Sequence, residues 1–196
     1  MSYEVLIGNC LDTLKTLEPN SINCVVTSPP YWGLRDYGND EQLGLETTPE
    51  KYIENMVAVF DEIHRVLSDD GTVWLNIGDT YYGGGGHGGV SENNKGFQAQ
   101  LVRDDPDRFE QQGFSYSYRN KRRDDLKPKD LVGIPWMLAF ALRERGWYLR
   151  QDIIWNKPNP MPESVRDRCT KTHEYIFLLS KSQKYYYDYE AIKEPV

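Results

Sequence analysis

The sequence predicts an α/β fold, a mostly parallel sheet flanked by helices with an antiparallel hairpin at its edge. Three observations carry that prediction. Short apolar runs such as Ile22 to Thr27 and Thr72 to Ile77 alternate with stretches of helical period, the pattern of strands covered by helices. The first of these runs stops at two prolines, so a strand there must hand over abruptly to a rigid turn. The runs Trp147 to Trp155 and Tyr175 to Ser180 are joined by the Lys157 to Thr172 loop, which makes them an antiparallel pair at the sheet edge.

Val5 to Ile7 reads as a first strand ended by Gly8. Asp12 to Leu17 follows as a short amphipathic helix with Leu11, Leu14 and Leu17 on one side. Ile22 to Thr27 is the next strand. Thr48-Pro49-Glu50 then carries a capping hydroxyl followed by proline at the first helical position, and the helix continues to about Leu67. Its apolar residues Ile53, Met56, Val57, Phe60, Ile63, His64 and Leu67 form a core-facing stripe, on which His64 is read as a packed interhelical residue before a ligand. Asp69-Asp70-Gly71 marks a turn before the strand Thr72 to Ile77, which ends at Gly78-Asp79. Residues 82–126 differ in composition and read as a loop insertion. Four glycines open it, and Arg119, Lys121, Arg122 and Arg123 are interleaved with Tyr116 and Tyr118, a cluster that either tracks a nucleic-acid backbone or lines a solvated loop. From Asp130 the helical period returns through Leu131, Ile134, Pro135, Leu138, Ala141 and Leu142 to Gly146. Tyr185-Tyr186-Tyr187-Asp188 follows the last strand, and aromatics this dense are read as core and strand packing ahead of base stacking.

Length and composition bound what such a fold does. At 196 residues the chain makes about one domain with a real core. A net charge of −7 argues against a generally basic nucleic-acid coat, so any contact with phosphates has to be local. Cys10, Cys24 and Cys169 are odd in number and lack metal-ligand spacing, which supports neither a disulfide framework nor a zinc site and fits a reducing cytoplasm. No basic flank precedes an apolar run at the N-terminus, and no apolar segment approaches about 18 residues, so neither secretion nor membrane spanning is expected.

The chemistry concentrates in Thr27-Ser28-Pro29-Pro30-Tyr31-Trp32. Two prolines fix φ and withhold their N–H groups, so the turn offers carbonyls and the Ser28 hydroxyl as acceptors beside aromatic rings. Such a surface suits the exocyclic amine of a flat nitrogen heterocycle, with Tyr31 stacked on its ring; the plain alternative is a strand-ending turn with aromatic packing. Asp79, at the end of another strand, is either a site carboxylate or a turn cap.

Taken in order, Gly8-Asn9-Cys10-Leu11, Ser28-Pro29-Pro30-Tyr31, Glu62 to Leu67, Trp74 to Asp79, Ile154 to Pro162 and His173 to Phe177 resemble the DNA amino-methyltransferases, which methylate N4 of cytosine or N6 of adenine. The resemblance runs from residue 5 to about residue 190. It implies a partial Rossmann-like fold dependent on S-adenosyl-L-methionine, and a double-stranded DNA substrate whose target base is flipped into a site lined by Ser28, Pro29, Pro30 and Tyr31. It further implies cofactor contacts from Asn9 and Cys10, with Asp79 as a candidate, DNA contacts from Trp32, Lys157 and the basic cluster, and a place in restriction-modification. Asn9 stands where the family often has Asp, which keeps an amide for adenine recognition but loses any role specific to a carboxylate. Serine at position 28 leans toward cytosine N4, although members with serine there also act on adenine.

One family element is missing. The glycine-rich Phe-x-Gly-x-Gly turn of the donor site has no counterpart, since the run Gly83 to Gly86 has no helical pattern after it. In the family order with the catalytic turn first, that motif lies toward the C-terminus. The chain is therefore expected to be the catalytic part, either truncated or completed by a separate chain, and its expected partners are such a complementary chain or a homo-oligomer. The rival readings are a catalytically inactive DNA-binding or assembly module on this half-fold, and a methyltransferase acting on RNA or a protein glutamine.

Overall fold

The computed structural model describes residues 3–39, 41–82 and 125–194. Its elements are α1 (Cys10–Lys15), β1 (Ile22–Thr27), α2 (Pro49–Val66), β2 (Leu67–Ile77), α3 (Ile134–Glu144), β3 (Tyr148–Asn156) and β4 (His173–Ser180). The α/β class holds. The four strands form one sheet in the order β1-β2-β4-β3, with β1 parallel to β2 and the other neighbours antiparallel. The expected hairpin is present at the edge, its second strand innermost.

The helices form where local chemistry calls for them. Thr48 accepts the Lys51 N–H at the start of α2 and Pro49 occupies the first turn. From there Tyr52, Ile53, Met56, Phe60 and Ile63 repeat at three and four residues and are buried. They join Leu138 and Leu142 of α3 and Val73, Leu75, Ile77, Phe177 and Leu179 of the sheet in one apolar core. Arg65, paired with Glu62, donates to the Leu14 and Leu17 carbonyls and so fastens the C-terminal end of α1 to α2. His64 stands edge-on to the buried Trp147, which follows α3, with ring centroids 4.9 Å apart. No helix among the described residues is long and apolar enough to cross a membrane.

Three expectations are corrected. Val5 to Ile7 is not a strand: Val5 and Ile7 are exposed, and among the described residues β1 has no neighbour but β2. A β-prone tripeptide with no partner ladder gains nothing from extending. Only one strand pair among the described residues is therefore parallel. Asp69-Asp70-Gly71 does not break the chain, because β2 runs from Leu67 and takes up these residues in a register shift opposite Ile22 and Cys24. Gly71 permits this, since a Cβ there would lie 2.6 Å from Leu67 Cγ and 3.0 Å from the Asn23 carbonyl. Tyr186 and Tyr187 do not pack into the core; both are exposed, and the Tyr186 N–H bonds the Asp70 carbonyl instead. At the two flanks of the segment read as a loop insertion, Tyr82 is buried and Leu126 packs against the core. Residues 80–82 and 129–132 hydrogen-bond to each other across it.

Candidate active site

Strand direction gathers four distant segments at one edge of the sheet. Parallel β1 and β2 end together, so Ser28 and the turn after it stand beside Asn76 and Gly78. Antiparallel β4 begins at that edge with His173 and Glu174, and β3 finishes there with Asn156, followed by Lys157.

The side chains meet through hydrogen bonds. The Tyr31 hydroxyl lies 2.9 Å from both Asn76 Oδ1 and Glu174 Oε2. Ser28 Oγ is 3.2 Å from Asn76 Oδ1 and 3.4 Å from the Tyr31 hydroxyl. Asn76 Nδ2 donates to the Tyr175 carbonyl at 3.2 Å, which turns the amide oxygen toward the turn. Lys157 Nζ pairs with Glu174 Oε1. Behind the turn, the buried Tyr52 donates its hydroxyl to the Pro30 carbonyl at 2.9 Å. Two glycines let the turn close down on the fold: a Cβ on Gly78 would come 2.6 Å from the Tyr31 ring, and one on Gly44, at φ +98°, 3.0 Å from the Tyr31 carbonyl.

Electrostatics follow from this packing. Burial, offset in part by the Ser28 hydrogen bond and reinforced by the Glu174 charge, pushes the Tyr31 hydroxyl up to about 12. Burial alone raises Glu174, but the Lys157 ammonium and the Tyr31 hydroxyl outweigh it and hold the carboxyl below its ordinary range. Glu174 is thus an anion at neutral pH. Two protons, on Ser28 and Tyr31, are shared among three acceptor groups: Asn76 Oδ1, Glu174 and the Tyr31 oxygen. A charged acceptor takes the Tyr31 proton in preference to an amide. The Ser28 proton then points inward to Asn76 or Tyr31, and its lone pairs remain as acceptors.

The structure brings Ser28, Pro29, Pro30 and Tyr31 together with Lys157. It gives Asp79 the capping role, the second of the two readings open from sequence: its carboxylate accepts from Thr80, Gly133 and Ile134 N–H groups, at 3.0 Å for Ile134, at the start of α3. Trp32 donates its indole N–H to the Glu46 carbonyl and lies against the core. Asn9 caps α1 by accepting the Leu11 N–H, and Cys10 is the exposed first residue of that helix. Arg119, Lys121, Arg122 and Arg123 lie outside the described residues. Sequence reasoning missed Asn76, Glu174 and Tyr52 as site residues. The signal for Glu174 was a charge directly before the apolar run that begins at Tyr175.

This α/β sheet carries a Pro-Pro turn at the carboxyl end of one strand, beside the start of an antiparallel neighbour. Solved structures share the fold. The PvuII DNA methyltransferase (cytosine-N4-specific) matches with a TM-score of 0.62 at 17% identity, over 95% of this chain and 51% of that one. A DNA modification methylase of Thermus thermophilus, so described only provisionally and solved with S-adenosyl-L-methionine, matches with a TM-score of 0.55 at 19% identity, over 94% of this chain and 56% of the other. A family model described as DNA methylase, covering N6 and N4 enzymes, matches residues 22–196, and the chain belongs to that family. It is 53% identical over 194 residues to the type II methyltransferase M.SmaI of Serratia marcescens, covering 99% of this chain and 61% of that protein. It is 52% identical over 187 residues to M.Cfr9I of Citrobacter freundii, covering 95% of this chain and 57% of that protein. The chain spans about three-fifths of the length of these curated relatives.

Proposed function

We propose that this chain carries the catalytic turn of a site-specific DNA methyltransferase that modifies the exocyclic amine of a flipped base, N4 of cytosine ahead of N6 of adenine, in double-stranded DNA. The observation that carries this reading is the Ser28-Pro29-Pro30 turn, whose prolines offer no N–H and which is held from behind by Tyr52 and Asn76, with the neighbouring Tyr31 tied to Glu174. S-adenosyl-L-methionine, when bound, supplies an electrophilic methyl group. The residues present fit one end of it: Gly8, Asn9 and Cys10 are exposed, and with Asn9 Oδ1 spent on the helix cap its Nδ2 has no partner among the described residues and can donate to an adenine. Asn9 and Cys10 would hold that end.

On the DNA side, extruding a base costs a few kcal/mol, which contacts within the site must offset. Tyr31 and Trp32 present aromatic rings beside the turn. Ser28 Oγ and the Pro29 carbonyl accept the two amine protons, which holds the nitrogen with its lone pair exposed and favours rehybridisation as charge develops. No covalent bond to the protein is required. Serine at position 28 supports cytosine; the half-exposed Lys157 and the basic cluster from Arg119 to Arg123 support contacts to the DNA backbone. A soluble, cytoplasmic setting within restriction-modification fits these assignments.

The test is labelled methyl transfer to duplex DNA by the full-length protein, followed by digestion to nucleosides. N4-methylcytosine is the expected product. N6-methyladenine would revise the base, while 5-methylcytosine or no transfer would overturn the reading.

A further inference from the structure

The hydrogen bonds at the site are not only a scaffold; followed in the direction in which each hydroxyl donates, they form a line. Ser28 Oγ lies 3.4 Å from the Tyr31 hydroxyl and 3.2 Å from Asn76 Oδ1, so its one proton can turn to either, and Tyr31 donates to Glu174 Oε2 at 2.9 Å. The line ends on a carboxylate whose other oxygen is paired with Lys157 and whose side chain keeps 18% of its surface in contact with solvent. Asn76, the other neighbour of both hydroxyls, is an amide and has no place for a proton.

We propose that Ser28, Tyr31 and Glu174 form a proton path that carries away the surplus proton of the methylated amine, ending on Glu174. This rests on the amino-methyltransferase reading. Once the amine nitrogen has gained a methyl group it is cationic and retains two protons. One N–H bond breaks as the proton passes to Ser28 Oγ, the Ser28 proton passes to the Tyr31 oxygen, and the Tyr31 proton passes to Glu174. The electron pair of the broken N–H bond stays on nitrogen, the base leaves neutral, and Glu174 becomes a carboxylic acid. Both hydroxyls are restored, and the exposed part of Glu174 releases its proton to water. A carboxylate held low by Lys157 is a weak base, but an alkylated aminopyrimidine cation is a far stronger acid than any carboxylic acid, so the transfer runs downhill. Tyr31 never has to exist as a phenolate, since it gains one proton as it gives up another.

Two variants separate this path from a positioning role. Glu174→Gln keeps an amide oxygen for a hydrogen bond but accepts no proton, and Tyr31→Phe keeps the ring against Gly78 but breaks the line. In single-turnover methylation by the full-length protein, each is expected to slow transfer about 100-fold with little change in DNA affinity, a loss typical of general acid-base catalysis. The double variant loses no more than either alone, as expected of residues that act as a unit. A readout without cofactor or DNA accompanies these rates. In NMR of labelled tyrosine, with Tyr31→Phe assigning the resonance, Glu174→Gln shifts the Tyr31 titration to lower pH, which verifies that the two groups are coupled in solution. Wild-type rates in both variants, or additive losses in the double variant, overturn the path while leaving the methyltransferase reading intact. Failure of the unmodified enzyme to methylate an amine overturns both.

Discussion

At the scale of single residues, Ser28 and Tyr31 do different work, and their variants separate them. Ser28→Ala removes an acceptor that matters most as charge develops on the amine, so turnover is expected to fall more than DNA affinity. Tyr31→Ala removes a ring as well, and loss of base stacking on the order of 1 to 3 kcal/mol weakens capture of the flipped base too. Rates and binding measured on the same duplex distinguish the two patterns. The Tyr31 hydroxyl also ties stability to pH. Its folded pKa is raised to about 12, so from about 10 upward the unfolded chain has lost this proton while the folded chain still holds it. Its contribution is complete below the unfolded value and disappears as pH climbs through the folded one. Denaturant midpoints are therefore expected to fall over that window by less in Tyr31→Phe than in the parent.

At the scale of elements, the reach of sequence reasoning followed the reach of the interactions. The α2 start was legible because its cap closes over three residues, from Thr48 to Lys51. The Pro-Pro turn was legible because two prolines constrain their own backbone. Asp79 was ambiguous from sequence because its partners, Gly133 and Ile134, lie 54 and 55 residues away. Glu174 meets Tyr31 across 143 residues, a contact that only strand register creates. Val5 to Ile7 shows the converse: β propensity was plain in the sequence, but a strand needs a neighbour. The cap is testable. Asp79→Ala strips a carboxylate from the first N–H groups of α3, and a loss of about 1 to 2 kcal/mol is expected in chemical denaturation. Asp79→Asn, which keeps an acceptor oxygen, recovers most of it. Tyr52→Phe leaves the Pro30 carbonyl without its donor and is expected to cost about 1 kcal/mol, with a larger effect on turnover than on melting.

At the scale of the whole molecule, β1 is one of the two edges of the sheet among the described residues. Val26 is 79% exposed on it, and Val5 and Ile7 lie exposed in the segment that precedes α1. An edge with free backbone groups and apolar side chains invites pairing with another strand. The 196-residue chain expressed alone is expected to self-associate, with Val26→Lys reducing the apparent mass in light scattering after size exclusion. A monodisperse monomer at all concentrations would contradict this. The α/β class was legible from alternating periods because many residues vote on it, whereas the order of the strands was not, since no local signal records which edge a hairpin joins.

The β3–β4 hairpin closes at its mouth with a hydrogen bond from the Lys157 N–H to the Thr172 carbonyl, 2.7 Å long. Lys157 and Glu174 stand on the paired side of that closure, and everything from Pro158 to Lys171 lies beyond it. The two ends of this loop are thus held together by the sheet and not by the loop itself. The loop also carries its own ties to the fold, from Asp167 to Lys129 and from the Arg168 guanidinium to the face of Tyr81, so a single cut within it is expected to leave the Lys157–Glu174 pair joined through the sheet.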